Sequence, residues 1–247
     1  MKRIYWLMPI LVLGLIISAC SSNNAANSPT AAAAQPSPAD ISQGTGFCYN
    51  PYFPLRSDKV WTYSSNSADT TTEYTMTFKD ITADAFTSIT DFESLNSEVR
   101  WNCSADGMLS TQFANLAFQN QPDFKIETVD VNGVFFPPAD QWQLGKTWQT
   151  QFNVNVSMVL NENKIDAQGV IDLNRTIGAQ EDVTVTAGEY KGAFRVDTAG
   201  KMTISFMGAA FDIPFVFQEW YASGVGLVKS VSSAEEFPFT MELISFQ

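Results

Sequence analysis

The feature that most constrains this chain is a strict alternation of apolar and polar residues that returns in several separate segments. Tyr74, Met76 and Phe78 are separated by threonines, and Phe152, Val154, Val156, Met158 and Leu160 are separated mostly by Asn and Ser. The same spacing places Phe211, Ile213, Phe215 and Phe217 on one face, and Phe237, Phe239, Met241 and Leu243 on another. A strand turns successive side chains to opposite faces, so each segment reads as a strand with one apolar and one wet face. A sheet of that kind must close on itself, pack on a second sheet, or cover a ligand.

Turn residues divide these runs at hairpin spacing. Asp106-Gly107 separates Val99–Ala105 from Met108–Thr111, and Asn132-Gly133 separates Ile126–Val131 from Val134–Phe136. Both pairs suit the primed turns of tight hairpins. Ala187-Gly188-Glu189-Tyr190 is expected to join two strands, and Gly224-Val225-Gly226 to form a bend or bulge before Leu227–Val231. Only Thr111–Phe118, with Phe113, Leu116 and Ala117 at helical spacing, suggests a short helix. A Gly-rich phosphate loop and a long βαβ pattern are both missing from the sequence. The expected fold is all-β and mainly antiparallel: a strongly curved sheet forming a half-barrel, barrel or sandwich, with at most one or two short helices.

The amino-terminal region has a different composition. Lys2 and Arg3 precede an apolar run, Ile4–Ala19, that is shorter than the roughly 20 residues a helix needs to cross a bilayer. Ile17-Ser18-Ala19-Cys20 at its end resembles the lipobox of bacterial lipoproteins. That resemblance implies a diacylglyceryl group on the Cys20 thiol, cleavage before it, and acylation of the new amino terminus. The alternative is an ordinary secretory signal cut at Ala19 or a later alanine. Two or three acyl chains, at about 0.8 kcal/mol per buried methylene, hold a protein firmly on a membrane. Ser21 stands where some bacteria place an inner-membrane retention aspartate, which points to the outer membrane if the host has two. The expected organisation is a signal peptide over 1–19, a lipidated flexible tether over 20–45, and one β-rich domain over 46–247.

Charge and missing residue types narrow the function. Removing the signal takes away Lys2 and Arg3, leaving 14 − 2 = 12 basic against 26 acidic residues, a formal charge of −14. Nucleic acid and anionic lipid headgroups are therefore not expected as partners without a local basic patch, and the sequence shows none. The chain has no histidine, so a Ser-His-Asp or Cys-His triad cannot be built within it, and the commonest metal ligand is missing. Carboxylate-only hydrolysis stays open, but no motif selects a pair. No cofactor or metal is expected. With Cys20 acylated, Cys48 and Cys103 are left for a disulfide worth about 4 kcal/mol in the chain-entropy model. Two buried free thiols, or a thiol paired to another chain, are the alternatives.

Three segments carry a resemblance: "YFPLRSDKVWTY" near the domain start, "VTVTAGEYKGAFRV" at Val183–Val196, and "EWYASGVGLVKS" at Glu219–Ser230. Together they resemble a family of bacterial envelope lipoproteins labelled TapB-like, from Tyr49 onward. Asp58 stands where that family's opening turn carries Gly, and Thr186 where Pro often precedes Ala-Gly. The resemblance implies an all-β extracytoplasmic domain without an established activity. Trp61, Tyr63, Trp220 and Tyr221 are candidate sugar-stacking or cavity-wall aromatics, with core packing as the alternative. Phe211, Phe215 and Phe217 are expected to face the interior or a ligand.

Three functions follow as expectations. The first is a non-catalytic lipoprotein, anchored to the membrane by its lipid, that binds an apolar or amphipathic small molecule in the curved sheet. The second is an interaction module that contacts other envelope proteins and has no cavity. The third is a carboxylate-dependent glycan hydrolase.

Overall fold

The structure is a computed structural model that describes residues 42–67, 70–92, 95–113, 124–160, 163–232 and 238–247. The expected signal peptide, Cys20, the expected tether up to residue 41, the part of the expected Thr111–Phe118 helix beyond Phe113, and Phe237 lie outside the described residues.

The described residues form twelve strands: β1 (Trp61–Ser67), β2 (Thr70–Lys79), β3 (Ala85–Phe92), β4 (Leu95–Ser104), β5 (Gly107–Ser110), β6 (Phe124–Gly133), β7 (Thr147–Leu160), β8 (Asn163–Val185), β9 (Gly188–Phe206), β10 (Ala209–Ala222), β11 (Gly226–Ser232) and β12 (Phe239–Phe246). They make one sheet in the order β5-β4-β3-β2-β1-β12-β11-β10-β9-β8-β7-β6, with every pairing antiparallel. The only helical pieces described are 3-10 turns at Gly46–Cys48 and Ala139–Gln141.

This order is a meander whose start has been moved. Consecutive strands pair throughout, except that β5 and β6 lie at the two edges and β12 pairs with β1. The edges are drawn together by the segment after β6. The Met108 N–H donates to the Phe136 carbonyl at 2.9 Å, and the Phe135 and Phe136 N–H groups donate to the Met108 carbonyl at 2.8 and 3.0 Å. The result is a nearly closed barrel, joined at this one point between its edges. Bulges near Thr62, Thr128, Ile177, Glu181 and Trp220 add the local twist and bend that closure requires.

The Asp106-Gly107 hairpin forms as expected, with Ser104 opposite Gly107. The joint expected at Ala187–Tyr190 falls earlier, at Thr186-Ala187, with Val185 opposite Gly188 and Gly188–Tyr190 already in β9, while the Gly224 turn forms as expected, with a bulge beside it. Asn132-Gly133 is different. It ends β6 instead of turning a hairpin: Gly133 pairs with Thr150 on β7, and Val134–Phe136 leave the sheet to reach Met108. Gly133 has φ +92°, and a Cβ there would lie 2.3 Å from the Gln149 carbonyl oxygen. A close strand approach, with no turn, is what demands glycine at this position.

The interior divides into two apolar clusters. At the end where β1 starts and β8 turns into β9, an aromatic plug joins Phe53, Leu55, Trp61, Tyr63, Phe86, Trp101, Phe136, Trp142 and Tyr221. Its rings stack or meet edge to face, as between Phe53 and Phe136 at 4.5 Å and Tyr52 and Trp142 at 4.6 Å. The second cluster lines the long strands β7–β10 toward the other end, with Phe152, Ile171, Met202, Ile204, Phe215 and Phe217.

Candidate functional site

The registers place inward-facing residues of neighbouring strands in rows across the barrel wall. One row runs Trp148, Arg175, Thr198, Phe217, Ser232, Phe239, from β7 to β12. The next row toward the plug runs Ile177, Val196, Glu219, Ser230, Met241. The next row toward the second cluster runs Thr150, Leu173, Gly200, Phe215. Polar residues therefore form a band where the two apolar clusters meet.

Arg175 is only 5% exposed and Thr198 only 3%. The Arg175 guanidinium lies 3.7 Å from the centre of the Phe135 ring, and its Nη1 donates to the Phe135 carbonyl at 2.8 Å. Among the described residues its Nε and the Thr198 Oγ1 have no hydrogen-bond partner. Burying a guanidinium or hydroxyl without a partner is costly, so two such groups side by side are a strong local exception.

Glu219 keeps some exposure as a residue, but its carboxyl is enclosed by protein. Burial raises its pKa above the ordinary 4.5, against the opposing pull of the Arg175 charge and of the Tyr221 hydroxyl, which donates to it. Burial likewise raises Tyr63, Tyr74 and Tyr221. A carboxyl whose pKa is raised by folding favours the folded chain while protonated. That contribution is complete below 4.5 and is lost as the pH rises through the raised value. Glu219→Gln is therefore expected to raise the melting temperature at neutral pH and to change it little at a pH below 4.5. A melting difference that is independent of pH, or a loss confined to neutral pH, would contradict the assignment.

The aromatics singled out in the sequence separate by role. Trp61 and Tyr63 are each 1% exposed and fasten β1 across the interior, the Trp61 indole donating to the Val225 carbonyl at 2.6 Å and the Tyr63 hydroxyl to the Leu227 carbonyl at 3.0 Å. Tyr221 belongs to the same plug, so none of the three is a surface stacking platform. Trp220 is partly buried, its indole donating to Glu181 at 2.6 Å with Lys229 over its ring. Phe215 and Phe217 are buried with ring centres 5.2 Å apart. Phe211 corrects the expectation of a covered face, for it is 58% exposed. It shares a row with the buried Ile204, but β10 runs eight residues (209–216) past Phe217, the last residue paired with β11. Among the described residues Phe211 thus has a strand neighbour on one side only. Cys48 and Cys103 are joined by a disulfide, with Cα atoms 5.2 Å apart.

Other features carry less chemistry. An open concavity of about 640 Å³ is lined by Glu127, Asn155, Ser157, Lys164, Asp166 and Gln168. These polar residues alternate with buried Val156 and Ala167 and so face outward. Among the described residues, no group of three or more His, Cys, Asp or Glu is placed to hold a metal ion. Sequence reasoning missed Arg175, Thr198 and Glu219. A signal was there in the periodicity: Ile171, Leu173, Arg175 and Ile177 form an apolar column broken once by a charge.

Two solved structures share the fold. One is a candidate exported protein with a YmcC-like fold from Bacteroides fragilis, 15% identical, with a TM-score of 0.50 over 81% of this chain and all of that one. The other is a candidate lipoprotein from Parabacteroides distasonis, 13% identical, with a TM-score of 0.50 over 83% of this chain and all of that one. At these identities the likeness is one of fold. No curated protein matches in sequence. Residues 42–236, most of the described chain, match the DUF3108-like family, and the chain belongs to it.

Proposed function

We propose that this protein is an exported, non-catalytic lipoprotein of the TapB-like kind, held on the membrane by lipid on Cys20, whose barrel takes up an apolar or amphipathic small molecule. The Ile17–Cys20 pattern supports the anchor, and the two structural neighbours are named as exported protein and lipoprotein. Cys20→Ala is expected to abolish labelling by an alkyne fatty acid and to move the protein from the membrane to the soluble fraction. Undiminished labelling would refute the anchor.

The observation that carries the binding reading is the wall formed by β7–β10. Its inner rows stay apolar through Phe152, Ile171, Met202 and Ile204, and they continue to Phe211, where the surface opens to solvent. A large apolar side chain left in water next to a buried apolar surface marks a site for an apolar contact. Organic extraction of the purified chain should release a reproducible apolar molecule, and a fluorescent fatty acid should be taken up in saturable fashion. An empty protein with no saturable uptake would refute the reading. The exposed tip of the β9–β10 hairpin, where Met207 is 90% exposed, favours a second reading, an interaction module that contacts envelope proteins. Reproducible crosslinks from Met207 to one envelope protein, together with an empty barrel, would establish that alternative.

A further inference from the structure

We propose that Arg175 and Thr198 hold the oxyanion head, a carboxylate or phosphate, of an amphipathic ligand whose apolar tail lies along Leu173, Phe215 and Met202. This rests on the binding reading above and specifies its chemical class. Arg175 on β8 and Thr198 on β9 stand directly opposite each other in the ladder. Directly opposed residues on one sheet face have Cβ atoms about 5 Å apart, so their side chains can reach one atom between them. Both residues are more than nine-tenths buried, and the Nε of one and the Oγ1 of the other lack a partner among the described residues. An arginine Nε–H can only donate, and a threonine hydroxyl can donate or accept. Had Thr198 accepted from Arg175, the two would have satisfied each other. What completes both is a shared acceptor, and a charged oxygen gives the stronger bond to a guanidinium.

The surroundings suit such a head group. Nη1 is fixed on the Phe135 carbonyl and the guanidinium plane on the Phe135 ring, which leaves the Nε side to the interior. None of the ion pairs among the described residues includes Arg175, so its charge is felt by the Glu219 carboxyl but not paired by it in contact. Glu219, two residues along β10 from Phe217, has its proton affinity raised by burial. Two residues from the pair toward the second cluster stand Leu173 and Gly200. The Phe215 ring lies over Gly200, so close that a Cβ there would be 1.9 Å from it. Beyond them lie Ile171 and Met202, both fully buried. Polar pair and apolar rows therefore adjoin, as a single-headed amphiphile requires, and because Ile171 and Met202 are fully covered in this structure a ligand enters by parting these rows.

The test uses the full chain in micelles of an uncharged detergent, photolysed with a diazirine-bearing long-chain carboxylic acid, with its methyl ester, or with the matching alkyl phosphate. The acid and the phosphate are expected to label peptides carrying Met202 and Phe215 about tenfold better than the ester, since a hydrogen bond to a charged group is worth about that factor. Preference for one of the two anions identifies the head group within the proposal. Thr198→Val, which keeps the side-chain shape and removes an unpaired hydroxyl, should fold as the parent does. In it the anions' advantage should fall severalfold, and Arg175→Met should abolish it. Equal labelling by acid, phosphate and ester would overturn the head-group assignment while leaving apolar binding in place. Unchanged anion preference in folded Thr198→Val would also overturn it. No labelling of these peptides by any probe would overturn the binding reading and the assignment together.

Discussion

The Cys48→Ser/Cys103→Ser double variant is expected to lose about 4 kcal/mol of stability, the chain-entropy value for a loop closed across 55 residues. For a domain of this size that is a fall of roughly 10 °C in melting temperature. The loss should begin locally. The segment before β1 lies outside the sheet, yet it buries Cys48 and Leu55 completely and closes the plug with Phe53. Apart from the disulfide, and the reciprocal Val60–Gln247 backbone pair at its far end, it is held among the described residues by single hydrogen bonds: the Phe47 N–H to the Ala83 carbonyl at 3.0 Å, the Gly224 N–H to the Pro51 carbonyl at 2.7 Å, and the Asn50 side chain to the Pro137 carbonyl at 3.1 Å. Hydrogen exchange at Phe47 and Gly224 should therefore quicken before exchange in β8 and β9 does. Uniform quickening through the barrel, or an unchanged melting temperature, would show that the bridge does not hold the plug.

Phe215→Ala should cost about 3–5 kcal/mol, the usual range for removing a buried phenylalanine side chain. The residue is 2% exposed and packs between Gly200 on one strand and Phe217 along its own. Gly200 gives the prediction a second arm. A methyl group there would collide with the Phe215 ring, so Gly200→Ala should destabilise by about 1–3 kcal/mol through overpacking. Removing the ring removes the collision, and the double variant should be more stable than the sum of the single effects allows. Denaturant unfolding of all four proteins decides the matter. Strict additivity would mean that the ring does not lie on Gly200. Asp212→Ala serves as a control, since among the described residues this exposed carboxylate is held only by Thr203 and Lys201, and a change below about 0.5 kcal/mol is expected.

These two experiments probe parts of the fold that were unequally legible in the sequence. Strand identity was written in the alternation: Phe152, Val154 and Val156 are all buried, while Asn155 between them faces water. The need to cover a one-faced sheet narrowed the class to a curved sheet, barrel or sandwich, and did not choose among them. The pairing of β12 with β1, and the seam at Met108 and Phe136, were not legible, because they join residues far apart in the chain that no local pattern couples. Phe211 shows the same limit at one residue. Its face is set by periodicity, but its exposure depends on where the neighbouring strand stops. At Gly133 the local signal misled, since a glycine required by a close strand approach looks like one required by a turn.

The polar band was hidden for a related reason. Arg175 interrupts one apolar column and Glu219 interrupts another, and each alone reads as a surface charge out of step. Only the register, which sets Arg175 beside Thr198 and places Glu219 in the adjoining row, makes them a group. The two halves of the interior then differ in kind. The plug satisfies its polar groups, as in the Trp61 and Tyr63 bonds to backbone carbonyls, and is tied by a disulfide. The band above it contains the unsatisfied Arg175 Nε and Thr198 Oγ1.

The measurement that tests the account most directly is a titration of the methionine methyl resonances with a long-chain carboxylic acid. Met202 is fully buried in the upper wall, Met108 is 1% exposed in the plug, and Met207 is 90% exposed at the hairpin tip. Binding in the upper interior predicts a saturable shift at Met202 with Met108 unmoved. A shift confined to Met207, or no saturable shift at Met202, would contradict it.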